Sequence, residues 1–237
     1  MNLANPQTQA VAVPKTFITN VFSWMAVALA ITAFFAYFFS TSETFFASLF
    51  TVSSTGASMS PLGWVVMLSP FAIVLVMMFG ANKFSALVLT FLFIAYAFLM
   101  GMSLSFIFWA YTAGSIFITF AVTAGTFGVM AIAGYTTKTD LSKMGSILYM
   151  ALIGIIIAMV ANYFMKSTRL DYIISIIGVL VFTGLTAWDV QKLKRIGAQA
   201  QEGTEATRKL VIMGALTLYL DFINLFLFML RFMGGRK

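Results

Sequence analysis

Two aspartates stand where an ionisable side chain is costly. Asp189 lies in Ala187-Trp-Asp-Val-Gln-Lys192, and Asp221 in Ala215-Leu-Thr-Leu-Tyr-Leu-Asp-Phe-Ile-Asn-Leu-Phe226, each within a long apolar run. A charge inside a bilayer costs about 3 kcal/mol on insertion scales, so each residue reads as functional by default. At ~1.5 Å per residue, Asp221 lies on the order of 16 Å into a helix counted from Leu210. Gly214, Thr217, Asp221 and Asn224 recur at spacings of three and four, which predicts one polar face turned into a bundle rather than to lipid. Thr186 falls one turn before Asp189, and Lys83 closes the inner end of an earlier apolar run. Two carboxylates brought together in a low-dielectric site cannot both ionise cheaply, so such a pair holds one shared proton and titrates as a unit. Lys83 as a salt-bridge partner would favour the doubly ionised form. Fully ionised, the pair offers oxygen ligands to a hard cation such as calcium, with Asn224, Thr217, Thr186 and backbone carbonyls as further polar lining. Each residue also has a plainer reading: Asp221 as a structural link between helices, Asp189 as a helix-end charge near Lys192, and Lys83 as an ordinary loop lysine.

The elements that must position these residues follow from composition. Of 237 residues, 61% are hydrophobic and 9% charged, with a mean hydropathy of +0.99. Soluble domains carry about 25% charged residues. That excludes a soluble enzyme, a disordered chain and a nucleic-acid-binding domain, and makes the lipid bilayer the solvent. The net charge of +7 then reports loops facing anionic lipid, not a nucleic acid. With no cysteine and no histidine, thiolate chemistry, imidazole ligands and imidazole pH switches are excluded, so proton chemistry near neutral pH falls to carboxylates or lysines. The first 13 residues lack a basic-then-apolar pattern, so no cleavable signal is expected.

Seven apolar runs approach the roughly 20 residues of a membrane-spanning helix. They are Phe17–Ser40, Leu62–Gly80 (with Pro70, expected to kink it), Phe84–Tyr111 (overlong, expected to tilt or end early), Gly114–Tyr135, Gly145–Met165, Tyr172–Gln191 and Leu210–Met233. The expected fold is an all-α membrane protein of one integral domain over residues 1–237. A tail, Met1–Thr16, precedes the first span, and a charged loop, Lys192–Lys209, joins the last two as a solvated connection or a docking site for a partner or anionic lipid. Placing the N-terminus in the cytoplasm puts Lys15, Lys83, Lys138, Lys143, Lys192, Lys194, Arg195, Arg208 and Lys209 inside, against Lys166, Arg169, Arg231, Arg236 and Lys237 outside. Nine inside against five outside favours this placement, with the C-terminus outside; a six-span arrangement with a re-entrant last segment is the alternative and would bring the C-terminus inside. Gly114, Gly125 and Gly128 suggest close helix packing, Asn162 a hydrogen bond across helices, and Trp24, Trp64, Trp109 and Trp188 interfacial anchors.

Leu218-Tyr-Leu-Asp-Phe-Ile-Asn-Leu-Phe226, followed by Leu230-Arg-Phe232, resembles the last-helix signature of the Bax inhibitor-1 family, the transmembrane Bax inhibitor motif proteins. Trp188-Asp-Val-Gln191 is similar to the aromatic-Asp-x-Gln element closing that family's sixth helix. The resemblance implies a bundle with the last helix at its centre. It also implies a pH-sensitive calcium leak in which paired aspartates, here Asp189 and Asp221, form the proton sensor, the ion path and a transient metal contact. A basic residue bonds to the pair in some members. Lys83 takes that place here, without the two-pronged donors of the arginine found in a bacterial relative. The short termini suggest a prokaryotic cytoplasmic (inner) membrane. The rival reading is a regulatory protein that modulates a membrane-bound protease or stress response through the N-terminal tail and the Lys192–Lys209 loop. No resident cofactor is expected. Enzymatic activity is not expected either: the second motif of two-aspartate membrane proteases is missing, and no nucleotide loop or hydrolase constellation stands out.

Overall fold

The computed structural model describes residues 15–53 and 56–235. In chain order these form α1 (Lys15–Ser40), α2 (Glu43–Leu49), β1 (Phe50–Ser53), β2 (Gly56–Met59), α3 (Pro61–Gly80), α4 (Ala86–Leu104), α5 (Ile107–Ala110), α6 (Ala113–Thr136), α7 (Ser142–Met165), α8 (Thr168–Gln199) and α9 (Glu205–Met233). Seven helices are long and apolar enough to cross a membrane: α1, α3, α4 with α5, α6, α7, α8 and α9. Their starts are written in the sequence. Ser60, Ser85, Thr112, Ser167 and Thr204 each sit just before a span and accept a backbone N–H from its first turn, satisfying a donor that the helix itself cannot.

The last helix is the axis of the bundle. The apolar stretch of α9 is 67% buried and that of α8 56%, against 11% for α7 and 22% for α3. Helices α1, α4, α6 and α8 pack directly on α9, α7 leans on α8, and α3 leans on α4. One side of α9 is fixed by a polar tie between three helices. The Thr32 hydroxyl donates to the Ala97 carbonyl at 2.8 Å, and its single proton is then spent. The Tyr219 hydroxyl therefore donates to Thr32, at 2.7 Å. The last segment crosses fully rather than turning back: Gly214 packs on Leu193 near one end of α8, while Arg231 reaches Asp171 at the other.

Several expectations need correction. The third span does end early, at Leu104, and α5 follows as a separate single turn. The Lys192–Lys209 loop shrinks to residues 200–204, because α8 runs on to Gln199 and α9 begins at Glu205. Hydropathy drops at Lys192, but Leu193 and Gly197 recur at helical spacing and bury against Gly214 and Phe17, so the helix continues as an amphipathic one. Gly203, with φ of 78°, makes the turn that an L side chain would resist. Gly114, Gly125 and Gly128 face open space rather than a neighbouring helix. Asn162 closes the α7–α8 turn, its side-chain oxygen accepting the Ser167 N–H at 3.0 Å. Trp188 is an inter-helix contact, its indole lying against Gly145, while Trp64 and Trp109 are 52% and 55% exposed, as interfacial anchors are. Short α2 and the β1–β2 hairpin, with Phe50 opposite Met59, fill what reads as a polar break between the first two spans. Residues 1–14 of the tail, and Arg236 and Lys237, lie outside the described residues.

Candidate functional site: a buried carboxyl pair and the clasp that seats it

Asp189 on α8 and Asp221 on α9 meet inside the bundle, 2% and 5% exposed, with their carboxyl groups within hydrogen-bonding reach of each other. An ionised carboxylate is an acceptor only, so a hydrogen bond between two of them requires a proton between them. Asp221 Oδ2 has no partner, alone among the buried side-chain nitrogens and oxygens of the described residues. Asp189 reaches this depth because α8 continues past Gln191, which turns an apparent helix end into the body of the helix. The charged and titratable groups whose fields reach the pair are Lys192, one turn along α8, and the Tyr149 phenol on α7. Lys192 is held over the Trp188 ring, its Nζ 5.0 Å from the centroid.

The other expected members do not join. Lys83 is exposed in the tight α3–α4 turn, where its N–H donates to Gly80 O at 2.9 Å, and forms no ion pair among the described residues. Thr186 donates to Phe182 O at 2.8 Å, Thr217 to Met213 O at 3.1 Å and Asn224 to Leu220 O at 2.8 Å. Each hydrogen bond is spent on the residue's own helix, one turn back. Thr217 and Asn224 share the less buried line of α9 with Met213, Leu220 and Leu227, whereas Gly214 and Asp221 lie on the sealed side. The expected polar face therefore splits in two. Among the described residues no group of three or more histidine, cysteine or acidic side chains is placed to hold a metal.

What seats Asp189 is the α6–α7 connection. Gly134 of α6 lies so close to the Ala187 backbone that a Cβ there would collide with it, and a Cβ on Gly145 of α7 would strike the Trp188 indole. Tyr149 adds an edge contact to the same ring, centroids 5.3 Å apart. Gln191, 6% exposed, accepts the Leu141 N–H at 2.9 Å and donates to Thr139 O at 2.8 Å, so one side chain satisfies both edges of the connecting loop. Arg195 bridges Gln191 Oε1 at 2.8 Å, Asp140 Oδ1 at 2.6 Å and Ser142 Oγ at 2.9 Å. Lys194 Nζ donates to Tyr135 O at 2.7 Å. The Arg195 hydrogen bond, with Ser142 behind it, holds the Asp140 carboxyl well below the usual carboxylate range. Gln191 is visible in the sequence only as part of a motif. Gly134, Gly145 and Tyr149 carry no mark in a single sequence, because any of them serves equally well in an ordinary apolar span.

The comparisons with known proteins agree with this architecture. A family model described as inhibitor of apoptosis-promoting Bax1 matches residues 14–237. The inner membrane protein YbhL of Escherichia coli K12 is 46% identical over 239 residues, covering 98% of both chains. A Borreliella burgdorferi protein is 44% identical over 231 residues, covering 98% of this chain and 97% of its own. A membrane protein of Streptococcus pyogenes serotype M3 is 36% identical over 212 residues, covering 80% of this chain and 92% of its own. With a match across nearly its whole length and a paired-aspartate core inside seven spans, this multi-pass membrane protein belongs to the Bax inhibitor-1 family.

Proposed function

We propose that the protein is a passive, proton-regulated calcium leak of a bacterial inner membrane, with its N-terminus in the cytoplasm. The reading rests on one observation: two buried carboxyl groups from adjacent helices in hydrogen-bonding contact. In this arrangement the pair is sealed and shares a proton, so the path is shut at the pair. Loss of the proton leaves two like charges together. Unit charges about 4 Å apart repel by about 4 kcal/mol at an effective dielectric near 20. That repulsion is relieved if α8 and α9 separate or a cation enters, and both favour conduction. Calcium takes six to eight oxygen ligands. Two carboxylates with backbone carbonyls fall short of a resident site and suit an ion in transit. The inner-membrane placement follows the name of the Escherichia coli relative. The nine basic residues at the Lys83 and Lys192 end of the bundle support a cytoplasmic position for that end.

The test is calcium flux into liposomes carrying the purified protein, measured between pH 5.5 and 8. Leak is expected to rise with pH, because deprotonation opens the pair, and Asp189→Asn is expected to flatten that dependence. A leak whose pH profile is the same in Asp189→Asn as in the native protein overturns the carboxyl mechanism.

A further inference from the structure

At the Lys83 end of the bundle a groove of about 630 Å³ runs between the first turns of α1, α4 and α9 and the α8–α9 connection. Its mouth carries one anion and one cation, Glu202 and Arg208, both exposed. Neither side chain has an ion-pair or hydrogen-bond partner among the described residues, and they do not pair with each other. Deeper in, the wall is apolar. Val211 and Ile212 lie about 10 Å along α9 from its start, and Trp24 about 13 Å along α1, at ~1.5 Å per residue. Asn20 lies between the two levels. The α4 N-terminus that borders the groove is already capped, with Ala86 N–H donating to Glu205 at 3.4 Å.

Three spans begin at this groove, so its polar mouth stands at headgroup depth and its apolar wall at acyl depth. Two opposite charges at one mouth, not paired with each other, match a headgroup that itself carries a phosphate and an ammonium. From this we infer that the groove is a binding site for a zwitterionic phospholipid with a primary ammonium headgroup. Arg208 takes the phosphate, Glu202 takes the ammonium, and an acyl chain lies along Trp24, Val211 and Ile212. The ammonium matters because its three N–H donors meet a carboxylate as a methylated amine cannot. An anionic headgroup without an amine leaves Glu202 unanswered and places a negative charge near it.

Native mass spectrometry of the full-length protein, released from nanodiscs of equimolar phosphatidylethanolamine, phosphatidylcholine and phosphatidylglycerol with matched acyl chains, tests this. Phosphatidylethanolamine should be retained preferentially. Glu202→Gln should remove its advantage over phosphatidylcholine. Arg208→Gln should lower retention of all three by about two- to fivefold, the range an exposed charge contact supplies. Because both side chains are exposed, neither substitution threatens the fold. Preferential retention of phosphatidylglycerol, or a phosphatidylethanolamine preference unchanged in both variants, overturns the assignment.

Discussion

At one end of the α8–α9 pair, Asp171 faces Arg231 at 3.3 Å, with the two side chains 30% and 31% exposed. About 27 Å further along α8, at ~1.5 Å per residue, Asp189 faces Asp221 with both carboxyls almost closed off from solvent. The same two helices thus meet through acids twice, under different physics. The outer contact has opposite charges, solvent to screen them, and an aromatic face nearby, with the Arg231 guanidinium 5.7 Å from the Phe228 centroid. Such a pair is worth up to about 1 kcal/mol. The inner contact has like groups and no such screening, so its energy depends on how many protons it holds. What sets it apart is enclosure: Gly134, Gly145 and Gln191 press one turn of α8 into place.

The sharpest way to break this contrast is to neutralise one acid at each end. Asp221→Asn should abolish the pH response of calcium flux, whereas Asp171→Asn should keep it and lower stability by no more than about 1 kcal/mol. Equal loss in both variants would mean that any α8–α9 acid serves. Next in size is the seat itself. Gly134→Val must push α6 off the Ala187 backbone and should lower stability by about 1–3 kcal/mol, read as a drop in thermal unfolding temperature in detergent. Gly125→Val faces open space and should leave that temperature unchanged. The smallest change is expected from the clasp. Gln191→Ala leaves the Leu141 N–H and Thr139 carbonyl unanswered at a partly buried edge and should cost about 1 kcal/mol, while shifting the midpoint of the flux–pH curve because Asp189 is less firmly held. The Asp140 carboxyl of the clasp does not itself titrate over the pH interval of the flux assay. The folded-state value for Asp140 lies below its unfolded one, so its contribution is fully present above the ordinary carboxylate range, near pH 4, and fades only as pH falls below that. A flux–pH curve that flattens in Asp140→Asn as it does in Asp189→Asn would sink the distinction.

The spans were legible because lipid imposes long apolar runs, and the two aspartates because nothing else apolar surrounds a charge without cause. Their partnership was not legible by counting depth, since the count stopped α8 at Gln191, where hydropathy falls, while the helix is carried on by Leu193 and Gly197. The polar stripe of α9 misled for a different reason. On a helix buried nearly all round, a rotation smaller than one residue's step separates a sealed side from a thinly covered one, and Thr217 and Asn224 fell on the second. Threonine and asparagine can also satisfy themselves on their own helix, so their presence in a span does not imply a shared site. Lys83 shows the limit of analogy by position: a lysine at the right place in the chain ends outside the bundle when the turn that holds it is short. The α2 and β1–β2 segment escaped notice because four-residue strands leave too little alternation to read.

The length of α8 has a mechanical side. Its 32 residues make a rod about 48 Å long, in a hydrocarbon slab about 30 Å thick. The surplus beyond Asp189 carries Gln191, Lys194 and Arg195, which grip the α6–α7 connection. This overhang is a lever arm with its fulcrum beside the carboxyl pair. A sideways load on its tip, or on the loop it grips, is delivered as torque at Asp189, and the last two turns of α8 turn displacement at the membrane surface into strain within it.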